Sequence, residues 1–510
     1  MDAARTTLKW MIALTLALGI ALPAGAAELS ASLMTAYNSI TSDEARQHVD
    51  TLANDTFEGR EAGSRGGHAA GKYLVEYFSR AKLQPAGDPK SYFQAFGAQY
   101  RNILGVLPGS DPELRSEVVV IGAHYDHVGY GNQKNSFGPW GFVHNGADDN
   151  ASGTSGLLEI VDAFSKLPQA PRRTILFALW DAEEKGLLGS EHWVKQPTLP
   201  LDRVHMTLNM DMIGRLRDNR IEVYGTRTAR GLREFVTRQN VDSGLWLTYT
   251  WEMKANADHY TFYTRGLPTV FLHTGLHGDY HRPSDDAEKI DTSGIEKVAR
   301  LAFLLTYAFA DDAARWPFRK ESRQDTPTTQ KAFETSTVPP VRRLGVDWSP
   351  AADGNFVEVT RVGRASPAQK ADVRVGDRIV QINGRKLDSP ADFAELILIA
   401  DRSTSLLVER GGEAQPIEKS IELDGGPSRW GIAWREDDAE PNSVTVIRVL
   451  SGSPGDKGGV HVGDRIMRVG DHDIRLGDNL VDHLAAAPAT LELVVERDGN
   501  LMRLPLKSLK

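Results

Sequence analysis

The sequence contains no cysteine among its 510 residues. It therefore has no disulfide bonds, no cysteine that could carry an N-terminal lipid, and no thiolate ligands for an iron–sulfur cluster or a structural zinc. Any bound metal must be held by histidine, aspartate and glutamate, a ligand set typical of zinc, manganese, magnesium or calcium sites. Imidazoles and carboxylates are therefore the side chains in this sequence that could hold a metal ion.

Long clusters of lysine and arginine are also lacking, and the formal net charge is -9 with a pI of about 5.9. A nucleic-acid partner needs a concentrated basic surface, so this class of function is excluded. Hydrophobic content of 41% and charged content of 25% are ordinary for a folded protein. The length predicts two to four domains.

Long apolar runs are scarce, and the longest lies at the N-terminus, at residues 10–22. It is shorter than the roughly 20 residues that a membrane-spanning helix needs. Two basic residues, Arg5 and Lys9, precede this run, and small residues follow it up to Ala26. This pattern predicts a signal peptide over residues 1–26 and export to the bacterial periplasm or the medium, with no stable membrane span after cleavage. The alternative is an uncleaved anchor.

Strand-like and helix-like stretches alternate up to about residue 311, which predicts an α/β fold: a mostly parallel sheet sandwiched by helices. A polar, threonine-rich stretch that ends in Pro-Pro then predicts a linker. The second part of the chain repeats itself, since "VGDRI" stands at 375–379 and again at 462–466. Short strands with glycine turns predict two small, mostly β domains. The predicted organisation is a signal peptide (1–26), an α/β domain (27–311), a linker (312–342), a first repeat (343–425) and a second repeat (426–510).

Acidic residues and histidines gather where predicted strands end or helices begin. Each cluster alone is also compatible with a helix cap or a solvated loop. In open α/β sheets, however, the carboxyl ends of the strands border one crevice. So many carboxylates in one crevice would repel each other unless divalent cations bound there, and two histidines with three carboxylates suit a pair of zinc ions. The clusters are "GAHYDHVG" (122–129), "NGADDNASG" (145–153), "WDAEEKG" (180–186), "LNMDMIG" (208–214) and "DYHRPSDD" (279–286).

These five motifs, in this order, resemble those of the co-catalytic zinc aminopeptidases of the bacterial leucyl aminopeptidase type, over roughly residues 40–310. The resemblance implies a zinc exopeptidase fold, two zinc ions per chain and peptide substrates with free N-termini. It implies that His124 and Asp211 bind one zinc, that Glu184 and His281 bind the other, and that Asp149 bridges both.

The same resemblance implies the remaining roles. Glu183 would be the general base, Asp126 would orient the imidazole of His124, and Tyr280 would help to hold the oxyanion of the tetrahedral intermediate. The side-chain preference is expected to depend on loops near residues 135–144 and 245–254. Four further histidines match no ligand position and are interpreted as structural or rim residues: His68, His127, His259 and His277.

The two repeats resemble PDZ domains, with "LGV" (344–346) and "WGI" (430–432) at the loop that binds a peptide carboxylate. The resemblance implies that peptide C-termini or protein partners bind there by strand addition. The second repeat departs from the pattern, because it is richer in glycine and the stretch after Asp473 is short for the helix that borders the groove. For both repeats the alternative is a spacer or a docking surface.

Other functions remain open on the same fold. A glutaminyl-cyclase-like acyltransferase would use a single zinc, and a carboxypeptidase would need arginines for the terminal carboxylate. A scaffold with an inactive peptidase domain would be expected to lack Glu183 or a metal ligand, and this sequence lacks none of them. Because all predicted catalytic residues precede residue 290, removal of residues 341–510 is predicted to leave hydrolysis of a small aminoacyl substrate largely intact.

Overall fold

The computed structural model describes residues 30–97, 99–241, 243–335, 342–350, 355–388 and 390–508. The predicted signal peptide lies outside the described residues. No helix in the part of the chain that the structure describes combines the length and the apolar character needed to span a bilayer.

The α/β domain contains the following helices and strands in chain order: α1 (Ala31–Asn38), α2 (Ser42–Leu52), α3 (Arg65–Arg80), β1 (Gln84–Pro85), β2 (Phe93–Phe96), β3 (Tyr100–Leu107), β4 (Val118–His124), α4 (Gly153–Ser165), β5 (Thr174–Trp180), α5 (Leu188–Lys195), β6 (Val204–Met210), β7 (Arg220–Tyr224), α6 (Leu232–Gln239), β8 (Trp246–Tyr249), α7 (His259–Thr264), β9 (Thr269–His273) and α8 (Thr292–Asp311).

The strands form one sheet in the order β1-β3-β5-β4-β6-β9-β7-β8, with β2 paired to β3. The four central strands β5, β4, β6 and β9 are parallel, and so is the β7–β8 pair. Antiparallel pairing joins β3 to β5 and β7 to β9. The prediction of an α/β fold is confirmed, and the sheet is mixed because strands with antiparallel neighbours flank its parallel centre.

Side chains alternate between two cores along the central strands, as the two-residue period of a strand requires. On β4, Val119 and Ile121 pack with α2, α4 and α8 on one face, whereas Val118 and Val120 face a second core that includes Trp193 of α5 and Phe262 of α7. Both faces of the sheet are therefore covered by helices. This explains why β4 and β5 read as continuous apolar runs.

The two repeats have the same topology, so the predicted duplication is confirmed. Each is an antiparallel sheet of six strands in which the short fourth strand lies off the main path. In the first repeat the elements are β10 (Val346–Pro350), β11 (Val357–Val362), α10 (Pro367–Lys370), β12 (Arg378–Ile382), β13 (Arg385–Lys386), α11 (Pro390–Ile399), β14 (Ser403–Glu409) and β15 (Ile417–Glu422). In the second they are β16 (Ile432–Glu436), β17 (Val444–Val449), α12 (Pro454–Lys457), β18 (Arg465–Val469), β19 (His472–Asp473), α13 (Leu480–Ala486), β20 (Thr490–Arg497) and β21 (Asn500–Lys507).

The aspartate of each "VGDRI" motif has a structural role. Asp377 is 1% exposed and accepts two hydrogen bonds from Arg410, at 2.7 and 2.8 Å. Asp464 makes the equivalent pair with Arg497 at 2.7 Å for both bonds. A buried carboxylate needs such a bidentate partner, so the motif stabilises each repeat.

The predicted linker contains a helix, α9 (Pro327–Glu334), that packs between the α/β domain and the second repeat. The ring of Phe333 lies 5.5 Å from that of Trp251, and the backbone oxygen of Phe333 accepts a hydrogen bond from Arg435 at 2.8 Å. Glu334 accepts a hydrogen bond of 2.9 Å from Arg465. The part of this stretch that the structure describes is thus tied to both neighbours.

The second repeat docks on the α/β domain through buried charges. Arg233 donates to Glu496 at 2.7 Å and lies 3.7 Å from Glu440, and Arg227 donates to Asp437 at 3.1 Å. All five side chains are 7% exposed or less. Backbone contacts extend the interface: the N–H of Leu247 in the edge strand β8 donates to Asp498 at 2.8 Å.

Candidate metal centre

The register of the central strands brings the predicted site residues to one edge of the sheet. His124 ends β4 and lies beside Trp180, the last residue of β5, so residues 181–184 begin at the same level. Gly122 pairs with Asn209 of β6, which places Asp211 level with His124. His281 lies in the loop after β9. The strand-end argument therefore located the crevice correctly.

Asp149 lies between two groups of ligand atoms. Its Oδ1 is 3.3 Å from Nε2 of His124, which is in turn 3.3 Å from Oδ1 of Asp211. Its Oδ2 is 3.0 Å from Nε2 of His281, which is 3.1 Å from Oε2 of Glu184. Ligand atoms around a tetrahedral zinc, with bonds of about 2.0–2.1 Å, lie about 3.3 Å apart. The spacing in both groups fits this requirement, with one carboxylate shared.

His127, which matched no ligand position in the sequence, belongs to the second group. Its Nδ1 lies 2.8 Å from Oε1 of Glu184 and 3.7 Å from Oδ2 of Asp149. The ligand atoms of His127, Asp149, Glu184 and His281 lie within 4.8 Å of one another. His127 is therefore buried beside the second group of ligand atoms and does not lie at the rim, and its interpretation as a structural residue stays a prediction. The other three histidines lie outside both groups of ligand atoms.

Asp126 is fully buried and supports both sides of the site. Its carboxylate accepts hydrogen bonds from the backbone N–H of Glu183 at 3.0 Å and of Glu184 at 3.4 Å. The Nδ1 of His124 lies 3.1 Å from the backbone oxygen of Asp126 and 3.7 Å from its carboxylate. Asp126 thus fixes the turn that carries both glutamates, and its carbonyl oxygen is the nearer partner of His124.

The carboxylates of this crevice raise the pKa values of two of its imidazoles. Burial opposes a charge on His124, but Asp211 and Glu183 raise its pKa well above the ordinary value. For His281, burial is likewise outweighed by Asp149 and Glu184, which raise the pKa to about 10. Burial, together with the neighbouring carboxylates, raises the pKa of Glu183 well above its usual range. Positive charge in the crevice is therefore stabilised by its carboxylates, and divalent cations would supply such charge.

Arg60, in the stretch "FEGREAGSRG" (57–66), supports the loops of the site and was not identified from the sequence. It is 1% exposed and donates to the backbone oxygens of Leu52, Asn145, Gly146 and Tyr125 at 2.6–3.0 Å. Burial lowers its pKa to about 10, although Asp149 and other carboxylates of the site oppose this. Arg60 thus joins the loop after β4 to the loop before Asp149.

Asp148 and Asp285 position Asp149. The carboxylate of Asp285 accepts hydrogen bonds from the N–H groups of Asp148 at 3.0 Å and Asp149 at 3.1 Å. Asp148 itself accepts from Gly214 at 2.7 Å and pairs with His277 at 3.1 Å. Asp148 therefore orders the backbone beside the site.

An aromatic loop borders the crevice on the His281 side. The ring of Tyr280 stacks on His281 at 3.9 Å, and Phe137 lies 6.1 Å from Tyr280. Phe137, Trp140 and Phe142 are 51–64% exposed. This places residues 135–144 beside the site, as expected. The other expected specificity segment begins with edge strand β8, which instead contacts the second repeat.

The grooves of the two repeats differ. In the second repeat, a cavity of about 500 Å³ lies between β16 and α13, lined by Trp430, Ile432, Trp434, Val481 and Leu484 among others. In the first repeat, Trp348 of β10 contacts Phe393 of α11, with ring centroids 5.3 Å apart. The short stretch after Asp473 does form a groove helix, of 7 residues against 10 in the first repeat.

Comparisons with known proteins agree with this arrangement. The model of "Peptidase family M28" matches residues 102–306, and models of the PDZ domain match residues 358–410 and 419–496. Residues 102–306 form a domain of peptidase family M28, and two PDZ domains follow it.

Individual relatives match only part of the chain. Leupeptin-inactivating enzyme 1 of Streptomyces exfoliatus is 28% identical over 48% of this chain and 51% of its own length. Aminopeptidase YwaD of Bacillus subtilis (strain 168) is 27% identical over 41% of this chain and 44% of its own. The crystal structure of Legionella pneumophila LapA aminopeptidase has a TM-score of 0.47 at 21% identity and covers 55% of this chain and 75% of that one. The chain thus spans about half the length of these two curated relatives.

Proposed function

We propose that this protein is an exported zinc aminopeptidase, a hydrolase that removes N-terminal residues from peptides with two zinc ions per chain. The observation that carries the proposal is the position of Asp149, which presents one carboxylate oxygen to His124 and the other to His281 at 3.3 and 3.0 Å. A shared carboxylate between two ligand groups suits a two-metal site better than two separate single sites. Membership of peptidase family M28 supports the reaction type.

In this proposal Glu183 is the general base. Bound zinc would lower the pKa of a water ligand towards neutrality and polarise the scissile carbonyl. The Glu183 carboxylate would accept the proton of the attacking water and deliver it to the leaving amine. Its raised pKa, caused by burial and by Asp258, Glu184 and Asp211, suits a group that must both take and return a proton. Asp126 would hold Glu183 in place through its backbone N–H.

Tyr280 would donate a hydrogen bond to the oxygen that becomes negative when water attacks the carbonyl. Burial and the charges of Asp149 and Glu184 raise its pKa above the ordinary value. The phenol therefore stays protonated at neutral pH and remains a donor. The exposed aromatic side chains of residues 135–144 would contact the side chain of the substrate.

Metal analysis and substrate assays test the proposed activity. We expect purified protein to carry close to two zinc ions per chain, to hydrolyse aminoacyl chromogenic substrates, and to lose this activity with a chelator. Mass spectrometry of the metal and a panel of such substrates measure both. Full activity with a single tightly held metal would favour the glutaminyl-cyclase-like alternative. Release of C-terminal residues instead would favour a carboxypeptidase, and no hydrolysis by a two-zinc protein would favour the scaffold.

Export is the part of the proposal that depends on the N-terminal sequence. We expect the mature protein to begin near Ala27 and to be recovered from the periplasm or the medium, because residues 1–26 have the regions of a signal peptide. N-terminal sequencing of the protein from its natural cell would measure this. A mature protein that retains Met1 would contradict it.

The repeats are proposed to bind peptide C-termini or protein partners. PDZ domains bind peptides by adding a strand at the edge of the sheet, and β16 is an edge strand beside the cavity of the second repeat. The second repeat, whose sequence departs more from the PDZ pattern, is therefore the better candidate for peptide binding.

A further inference from the structure

The two halves of the metal centre offer different numbers of protein ligands. The half that contains Oδ1 of Asp149 has two other ligands, His124 and Asp211. The half that contains Oδ2 has three, because His127 accompanies Glu184 and His281. Catalytic zinc sites keep three protein ligands and an open position, whereas structural sites have four ligands and are closed. The presence of His127 thus makes the centre asymmetric.

The imidazole of His127 cannot easily turn away from the site. The side chain is 1% exposed, and its backbone N–H donates to Arg60 at 3.3 Å. A Cβ at Gly146 would lie 2.5 Å from the ring, so the backbone there packs directly on the imidazole. The ring also meets the edge of His281 at 5.5 Å. These contacts hold Nδ1 towards Glu184 and Asp149.

The two ring nitrogens of His127 have different surroundings. Nδ1 faces the carboxylates, whereas Nε2 is buried and has no hydrogen-bond partner among the described residues. A histidine that only oriented Glu184 would donate from Nδ1, and its Nε2 would then be a buried acceptor without a donor. A histidine that coordinates a metal through Nδ1 carries its proton on Nε2, and that proton would likewise lack an acceptor. The surroundings of Nε2 therefore do not decide between the roles, and neither does the 2.8 Å contact of Nδ1 with Oε1 of Glu184, which a hydrogen bond also explains. Coordination is supported by the position of Nδ1 in a group of four ligand atoms that all lie within 4.8 Å of one another.

We propose that His127 is a protein ligand of the metal held by Glu184 and His281, which makes that half of the centre the tighter, closed site. The half formed by His124, Asp149 and Asp211 is then the weaker, open site. The inference deepens the proposed function, on which it rests, by assigning unequal roles to the two metal positions. The asymmetry arises from His127, the sixth side chain of the two groups, because Asp149 contributes one oxygen to each half.

Metal titration of the full-length, metal-free protein tests this proposal. We expect the wild type to bind a first zinc tightly and a second more weakly. His127→Asn should weaken the first binding event by about 100-fold or more, because a coordinating imidazole is lost and loss of a partner outside the coordination shell alone already costs about 10–100-fold. His68→Asn is the matched control, since His68 lies on α3 and contacts Gln99 rather than the site. Equal affinities for both zinc ions in the wild type would overturn the proposal.

The choice of variants separates coordination from hydrogen bonding. His127→Ala removes both, whereas asparagine keeps a side-chain donor that is able to reach Glu184. If the alanine variant binds zinc weakly and the asparagine variant binds it normally, His127 only positions Glu184 and the proposal is overturned. If both bind zinc weakly, coordination is supported.

A measurement on the wild type covers the case in which the variants fail to fold. X-ray absorption of protein loaded with one equivalent of zinc counts the imidazoles around the metal. We expect two, from His127 and His281, and a single imidazole would overturn the proposal. Because these readouts are affinity and coordination, they are independent of hydrolysis. A protein that binds zinc in this way but cleaves no peptide would refute the proposed function alone.

Discussion

Replacing Glu183 with glutamine is expected to lower kcat by about 10²–10⁴-fold while zinc content stays at the wild-type level. Glutamine keeps the size and the hydrogen-bonding capacity of the side chain but cannot accept a proton. The loss corresponds to about 3–5 kcal/mol of barrier at about 1.36 kcal/mol per tenfold. Steady-state kinetics and metal analysis should be carried out on the same preparation, so that lost catalysis is separated from lost metal.

Glu184→Gln is the matched comparison, because the N–H groups of both glutamates bind the same carboxylate of Asp126. Any effect on this turn should therefore be similar in the two variants. The Oε2 of Glu184 lies 3.1 Å from Nε2 of His281, within the second ligand group. We expect this variant to lose zinc from one position and to regain part of its activity in excess metal. If Glu183→Gln had normal kcat, or had simply lost zinc, the role of base would be refuted. Two variants close to wild type would show that both are loop carboxylates.

Most of the sheet could be predicted from apolar periodicity, because buried strands carry their own signal. The apolar run at 204–210 forms β6, and most of the apolar run at 117–122 lies in β4, which extends further to His124. Strands with weaker apolar character were missed, among them β7 and β8. These two form an edge of the sheet whose pairing depends on distant residues, including Asp498 of the second repeat.

Helix boundaries were predictable where a side chain caps the helix. Thr41 and Glu44 have the spacing of a capping box at the start of α2, and the side chain of Thr41 does accept the N–H of Glu44 at 3.3 Å. The backbone N–H of Thr41, however, donates to Glu159 of α4 at 3.0 Å. The second half of the box is thus replaced by a tertiary contact 118 residues away, which no local pattern indicates.

The candidate site was predictable to the extent that it depends on strand ends. The five residues expected to hold metal do come together, because the parallel strands deliver them to one edge. His127 was missed because its contact with Glu184 depends on the path of the loop after β4. The only signal in the sequence was a second histidine in "HYDH", three residues after His124. Arg60 was missed for a related reason, since its partners are backbone oxygens from three separate segments.

The repeats illustrate a different limit. Their shared topology followed from the "VGDRI" repeat, but the contrast between the grooves depends on which residue faces a tryptophan. Trp348 and Trp434 occupy equivalent strands, and only Trp348 meets an aromatic partner, Phe393, on the groove helix among the ring contacts of the described residues. The corresponding helix α13 begins with Leu480. The second repeat, whose sequence departs more from the PDZ pattern, thus has the more open groove.

The structure changes what is expected when residues 341–510 are removed. The sequence predicts that hydrolysis of a small substrate survives, since every proposed catalytic residue remains. The truncation is nevertheless expected to lower the stability of the protein, because Arg227 and Arg233 would lose their ion pairs with the second repeat. The partners lost are Asp437, Glu440 and Glu496. Burial opposes the charge of Glu440, and its pKa is nevertheless lowered by Arg465, Arg233 and Arg227, which indicates how strongly these charges depend on one another.

We therefore expect the truncated protein to be less stable by about 3–6 kcal/mol, because it loses the charge-assisted hydrogen bonds of Arg227 with Asp437 and of Arg233 with Glu496, at about 1.5–3 kcal/mol each. At about 2–4 °C per kcal/mol for a domain of this size, the melting temperature should fall on the order of 10 °C. Turnover of a small aminoacyl substrate by folded, zinc-loaded protein at low temperature should change little, because His281 and the other ligands lie in the α/β domain. Thermal unfolding and kinetics at several temperatures measure the two effects separately.

Single substitutions locate the cause of this instability. Arg233→Met in the full-length chain leaves the buried Glu496 without its charged partner, whereas Glu440 keeps Arg465 at 3.1 Å, and it should reproduce much of the loss of stability. Arg238→Met is the matched control, since Arg238 lies on the same helix α6, is exposed and pairs with the half-buried Glu234, so a change of about 0–1 kcal/mol is expected. A truncated protein that melts at the full-length temperature would show that the buried charges contribute no net stability. If the truncated protein were folded and zinc-loaded but inactive at every temperature, the repeats would be shown to complete the catalytic site. We do not expect this result, because all of the proposed metal ligands lie in the α/β domain.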